Sequence, residues 1–219
     1  MEPKKINLLI KRILSISLSV LPCTVVLFKD PLNLSLLIIL VLYFSWTLVE
    51  LSLQSWEANA AASQKPYDKK SRSYIVVCRH ASLWLSCLNI ILLNGENHNF
   101  NIVVGGIIMV LSGSFLRFLA ITKLKEHFTM EIDANEKQEI ISNGIYRYIR
   151  HPSYLGILLI FSGFPLISCS IYFALIALIM TTVSIVYRIN IEEKLLLKKT
   201  KNRYSEYMER TSRLFPFIY

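Results

Sequence analysis

Residues 153–187 read SYLGILLIFSGFPLISCSIYFALIALIMTTVSIVY, 35 positions without one Asp, Glu, Lys or Arg. A soluble core helix has no need of such a run, whereas a bilayer core ~30 Å thick demands about 20 apolar residues for each crossing. As one helix the run would extend ~50 Å at 1.5 Å per residue, well beyond that core. Gly163, Pro165 and the Ser168-Cys169-Ser170 triplet offer a place to turn. The stretch therefore predicts a hairpin of two short membrane helices.

Working outward, four more apolar segments precede it, at about residues 10–27, 32–53, 74–93 and 102–121. With the hairpin at 154–166 and 171–187, about six spans are expected. The first follows Lys11-Arg12 like a signal sequence, but Phe28-Lys29-Asp30-Pro31 stands where small residues would mark cleavage. It is expected to be a retained span. The four cysteines, Cys23, Cys78, Cys87 and Cys169, fall in apolar sequence with no Cys-x-x-Cys pair, and read as small buried hydrophobes.

Charge tests this topology independently. The N-terminal stretch holds Lys4, Lys5, Lys11 and Arg12, and Lys65, Lys69, Lys70 and Arg72 fall in the second loop. Lys123, Lys125, Lys137, Arg147 and Arg150 fall in the fourth, and eight more basic residues follow Tyr187. The alternate turns hold Lys29 alone. Six spans with both termini in the cytosol give this pattern. The net charge of +9 then faces anionic lipid. Distributed by topology and without a compact basic module, it does not suggest nucleic-acid binding.

The chemistry concentrates late in the chain. In Gly144-Ile145-Tyr146-Arg147-Tyr148-Ile149-Arg150-His151-Pro152-Ser153-Tyr154-Leu155-Gly156, Pro152 biases His151 away from helix before a span begins. His151 and its backbone neighbours are expected to lack secondary-structure partners, at the cytosolic mouth of the bundle. The competing reading is a plain helix start with interfacial tyrosines. Arg188 follows the last apolar run and Glu192 lies one turn on. The pair is either a surface ion pair or a pair aimed into a cavity. Residues 188–213 form an amphipathic helical stretch, with Glu206 and Arg210 spaced as an ion pair. Arg117 and the Arg79-His80 pair lie within apolar segments. Each either snorkels to the interface or has a function with a partner still to be named.

Taken together, Arg150-His151-Pro152-Ser153-Tyr154-Leu155-Gly156, Arg188-x-x-x-Glu192-Glu193, Tyr204-x-x-Tyr207 and Phe215-Pro216-Phe217-Ile218 resemble the catalytic half of the isoprenylcysteine carboxyl methyltransferases. The resemblance spans roughly residues 105–219. It implies an all-α, polytopic transmembrane bundle with cytosolic amphipathic helices capping a cofactor pocket. Residues 1–100 would be N-terminal membrane helices and 101–219 the catalytic core. It further implies S-adenosylmethionine held by Gln138, Glu139, Ile140, Ile141, Tyr146, His151, Pro152, Ser153, Tyr154 and Glu192. Gln138 stands where histidine is commoner in the family. Arg188 matches the arginine that binds the substrate carboxylate, and Arg188, Glu192 and Arg117 are the catalytic candidates.

The expected acceptor is a prenylated protein or peptide, or a small lipophilic acid, reached from membrane lipid. The active site would face the cytosol, in the endoplasmic reticulum of a eukaryote or the inner membrane of a bacterium. No Gly-x-Gly loop of the soluble Rossmann methyltransferases occurs. A phospholipid or amine methyltransferase of the same superfamily is the alternative, and a non-catalytic scaffold or transporter a third. An amine acceptor must shed a proton, which a fixed arginine would not assist, so Arg188 favours an anion.

Overall fold

A computed structural model describes residues 17–60, 70–93, 99–124, 140–200 and 202–216. Among them the regular elements are helical: α1 (Ser17–Lys29), α2 (Leu34–Ala60), α3 (Lys70–Leu93) and α4 (Phe100–Leu124). A short 3-10 turn (Gly144–Arg147), α5 (Pro152–Ile167), α6 (Ile171–Thr200) and α7 (Asn202–Glu209) follow. By length and composition α3, α4 and α6 are able to cross a membrane, and α1, Leu34–Glu50 and α5 are shorter apolar helices. Apolar helices thus stand at all six expected places, the first described only from Ser17 onward. The protein is an all-α integral membrane protein.

The hairpin turns in the gap that the expected segments 154–166 and 171–187 leave. Gly163 and Pro165 lie inside α5, and the chain turns at Ser168-Cys169-Ser170, with Cys169 at φ 63°. The amides of Cys169 and Ser170 donate to Leu166 and Pro165 carbonyls at 2.8 and 3.0 Å, and Ser170 Oγ caps α6 by accepting from the Phe173 amide. Helix α6 departs from expectation, because it is not short. It continues through Arg188 to Thr200, so the segment expected to be a separate amphipathic helix begins as its last turns. Because α7 ends at Glu209, Arg210 leaves the helix, and no ion pair joins it to Glu206 among the described residues.

Pro165 is tolerated within α5 for an identifiable reason. Lacking an N–H, it leaves the Phe161 carbonyl without its helical donor. The hydroxyl of Ser82 on α3 donates to that oxygen at 2.5 Å. Two turns beyond, the Asn89 amide donates to the Ser168 carbonyl at the end of α5. These contacts show α3 and α5 side by side in the same direction. Ser71 meets Arg188 and Cys78 meets Ser184, so α6 runs opposite to α3. Helix α3 accordingly buries small polar residues (Ser71, Cys78, Ser82, Ser86, Asn89) and exposes Val77, Trp84, Leu88 and Leu92. That inversion suits a helix whose neighbours lie on one side and lipid on the other.

Helices α4 and α5 approach more closely still, antiparallel, through two reciprocal glycine pairs. A Cβ on Gly156 would lie 2.6 Å from the Gly113 carbonyl, and one on Gly113 2.7 Å from that of Gly156. Gly106 and Gly163 repeat the arrangement at 2.8 and 2.9 Å. Small residues are what permit backbones to meet in a membrane, where van der Waals contact drives association.

Candidate active site

The polar groups gather at one end of the bundle, where α3 and α5 begin and α4 ends. Arg188, only 4% exposed, lies inside α6 and not on a surface. Its Nε donates to the Tyr154 hydroxyl at 2.8 Å and its Nη1 to Ser71 Oγ at 2.9 Å. The Tyr154 hydroxyl in turn donates to Glu192 Oε2 at 2.7 Å. Arg188 and Glu192 are therefore coupled through a phenol from α5, which replaces the direct surface ion pair offered by the alternative reading.

Glu193 points elsewhere, because successive helical residues project about 100° apart. Buried at its carboxylate, it accepts from Arg150 Nε at 2.9 Å, lies 3.3 Å from His151 Nε2, and pairs with Arg213 at 2.8 Å. The chain after α7 runs beside residues 148–151. The Arg150 and His151 amides donate to the Ser212 and Arg213 carbonyls at 2.8 and 3.1 Å, and the Ser212 amide returns to Tyr148. This corrects the expectation that His151 and its neighbours lack backbone partners: the tail supplies them as an isolated parallel bridge. His151 is the residue before α5, Pro152 its first, and the His151 ring stacks 5.6 Å from that of Tyr154.

Tyr146 is buried in the 3-10 turn. Its hydroxyl donates to the Ala120 carbonyl at 3.2 Å, and its own carbonyl accepts from the Tyr207 hydroxyl at 2.6 Å. Burial, and after it the negative charge of Glu192, hold this phenol well above the ordinary tyrosine range, so it stays a donor. Burial likewise raises Tyr204 and Tyr207. Ile140 and Ile141 lie half-buried before the turn, and among the described residues no hydrogen bond ties them to Arg188, Tyr154 or Glu192. Gln138 and Glu139 fall outside the described residues, as do Phe217 and Ile218.

Arg117 does not snorkel. It is 7% exposed, and its Nε and Nη2 grip both oxygens of Glu50 on α2 at 2.9 and 2.5 Å, while Nη1 donates to Ser153 Oγ at 2.6 Å. Glu50, the acid within the second apolar segment, escaped the sequence reading. A lone acid in one span and a lone arginine in another were the available signal. Ser71 and Arg213 were likewise not singled out, and Arg150 and Glu193, quoted in the motifs, were given no role of their own. His80 faces the other way, toward α1 and α2: its Nδ1 lies 3.1 Å from Ser19 Oγ, which lies 2.6 Å from the Tyr43 hydroxyl. His80 thus stands apart from the Arg188 cluster, nine residues and half a turn around α3 from Ser71.

A membrane helix bundle with a buried arginine linked to a half-buried phenol and carboxylate at its polar end is the class that these residues define. Residues 106–198 match the model of the isoprenylcysteine carboxyl methyltransferase family. Protein-S-isoprenylcysteine O-methyltransferase A of Arabidopsis thaliana is 29% identical over 154 residues, 67% of this chain and 78% of that protein. The B protein of the same plant is 30% identical over 115 residues, 52% of this chain and 58% of that protein. A probable enzyme of the same name from Oryza sativa subsp. indica is 29% identical over 115 residues, 60% of its length. A solved structure of the eukaryotic intramembrane Ras methyltransferase ICMT aligns over 93% of this chain and 96% of that chain, at a TM-score of 0.49 and 17% identity.

Proposed function

We propose that the protein transfers a methyl group from S-adenosylmethionine to the carboxylate of a prenylated cysteine, or of a similar lipophilic acid, forming a methyl ester. The observation that carries the reading is the Arg188–Tyr154–Glu192 relay. It sets a cation beside an anion, and each suits a different partner.

The residues fit the cofactor by their chemistry. Glu192 is half-buried, and among the described residues its carboxylate has one hydrogen-bond partner, Tyr154. Such a carboxylate suits an ammonium or other cationic donor group. Tyr154, Tyr146 and the His151-Pro152-Ser153 turn lie with it, and Gln138, Glu139, Ile140 and Ile141 complete the proposed set. When bound, S-adenosylmethionine supplies an electrophilic methyl on its sulfonium. A carboxylate acceptor is already ionised at neutral pH and needs no general base. Arg188, its guanidinium fixed by Tyr154 and Ser71, would orient that carboxylate with a planar donor fork. The remaining task is to bring nucleophile and methyl to ~3–3.5 Å and exclude water. An acceptor tail entering sideways from lipid, with the cofactor arriving from the cytosol, accounts for the location of the site at the polar end of a membrane bundle. A cytosol-facing site, in the endoplasmic reticulum of a eukaryote or the inner membrane of a bacterium, belongs to the same proposal. So does the division into N-terminal helices (1–100) and a catalytic core (101–219).

Equilibrium binding of labelled S-adenosylmethionine to the detergent-purified protein tests the cofactor half of this reading. Saturable binding, displaced by S-adenosylhomocysteine and weakened in Glu192→Gln, is expected. A wild-type protein that binds neither compound overturns it.

A further inference from the structure

We infer that Glu50, on α2 and outside the residues matched by the family model, is a positioning residue for the proposed cofactor site, acting through Arg117 on Ser153. The inference deepens the proposed function and rests on its assignment of Ser153 to the cofactor.

The argument begins with cost. A carboxylate and a guanidinium, their side chains 10% and 9% exposed, are expensive to bury, and breaking such a pair by removing one partner leaves an uncompensated charge. An apolar pair of similar volume would hold α2 against α4 at least as well. Packing alone therefore does not explain why charge is used here. The geometry points to a use. Two of the guanidinium's donors close a fork on Glu50, which fixes its plane. The remaining Nη1 is thereby aimed at α5, where it meets Ser153 Oγ at 2.6 Å. Ser153 follows Pro152 in the first turn of α5 and precedes Tyr154, whose hydroxyl joins Arg188 to Glu192.

A serine hydroxyl has one proton and two lone pairs. With Arg117 occupying a lone pair, the proton of Ser153 is turned away from Arg117, toward whatever ligand the turn receives. The glycine of the motif makes this approach possible. A Cβ on Gly156 would sit 3.0 Å from Arg117 Cβ and 3.1 Å from its amide nitrogen, so only glycine lets the arginine pass this close to α5. The spacing from Ser153 to Gly156 is thus one device: the glycine admits the arginine and the serine receives it. Glu50 sets the direction.

The test compares S-adenosylmethionine affinity with thermal stability in detergent for three variants of the full-length protein. Glu50→Gln should lower the melting temperature and raise the cofactor Kd about 10-fold, the effect of a mis-set charge-assisted hydrogen bond. Glu50→Leu/Arg117→Met removes both charges. It should regain a melting temperature near wild type while its Kd stays raised about 10-fold. Ser153→Ala, which leaves the ion pair intact, should raise Kd by a similar factor. A double variant with wild-type affinity, or a Ser153→Ala with wild-type affinity, would show that the pair only holds helices together and would overturn the inference. A wild type without cofactor affinity is a different result, visible before any variant is made, and it removes the proposed function on which the inference stands.

Discussion

The Nε of Arg188 donates to the hydroxyl of Tyr154 at 2.8 Å, and that same hydroxyl donates onward to Glu192. The phenol spends its proton on the carboxylate and a lone pair on the guanidinium, so both charged residues are oriented by one atom. Tyr154→Phe keeps the ring and removes that atom. Losing hydrogen bonds to charged groups costs about 1.5–3 kcal/mol, so kcat/KM for a carboxylate acceptor should fall roughly 10- to 150-fold while the protein stays folded. Arg188→Lys should lower turnover more than cofactor affinity, since it keeps the charge and loses the fork. Steady-state kinetics on both variants, beside cofactor binding, check this. Wild-type rates in both would mean the relay is structural.

Ser82 and Pro165 should be coupled. Ser82→Ala leaves the Phe161 carbonyl in an apolar interior with neither its helical donor nor its substitute. An unsatisfied buried group costs about 1–3 kcal/mol. Pro165→Ala restores the amide, so Ser82→Ala/Pro165→Ala should recover most of the melting temperature lost by Ser82→Ala alone. Additive losses in the double variant would contradict the account of Pro165.

Two glycines of α4 and α5 should differ sharply. Gly156→Ala drives a methyl against the Gly113 carbonyl, whereas a Cβ on Gly105 meets nothing within 4 Å. Overpacking of this kind typically costs about 1–3 kcal/mol. Gly156→Ala should lower the melting temperature in detergent and Gly105→Ala should leave it unchanged. Equal effects would mean that the close approach is not specific to the paired glycines.

Topology follows from the basic loops. Reporter fusions after Leu53 and after Ile121 should both read cytosolic, because the loops they enter carry Lys65, Lys69, Lys123 and Lys125. An external signal at either position would remove the arrangement in which the Arg188 end of the bundle faces the cytosol.

What the sequence made legible was local. The uncharged stretch at 153–187 requires membrane helices by length alone, and the Arg150-to-Gly156 motif is contiguous, so both were visible in one pass. What makes Pro165 tolerable inside α5 was hidden: its cost is relieved by Ser82, 83 residues earlier, and no periodicity in α5 reveals a donor on α3. The tail pairing of Ser212 with residues 148 and 150 was hidden likewise, since one bridge leaves no strand pattern. Glu50 was concealed by its surroundings. An acid amid apolar residues near a predicted span end reads as a boundary until Arg117 is seen opposite it. The roles of Glu192 and Glu193 separated only in three dimensions, where one helical step sends the first to Tyr154 and the second to Arg150, His151 and Arg213.

The central claim is that the acceptor is a lipid-borne carboxylate anchored by Arg188. It is tested most directly by incubating the purified protein with methyl-labelled S-adenosylmethionine and either a farnesylated cysteine bearing a free carboxylate or the same compound as its carboxamide, then treating the products with alkali. Label should enter the free acid alone and leave in alkali as methanol. Label on the carboxamide, or label that survives alkali, would contradict the claim and make an amine or thiol the acceptor.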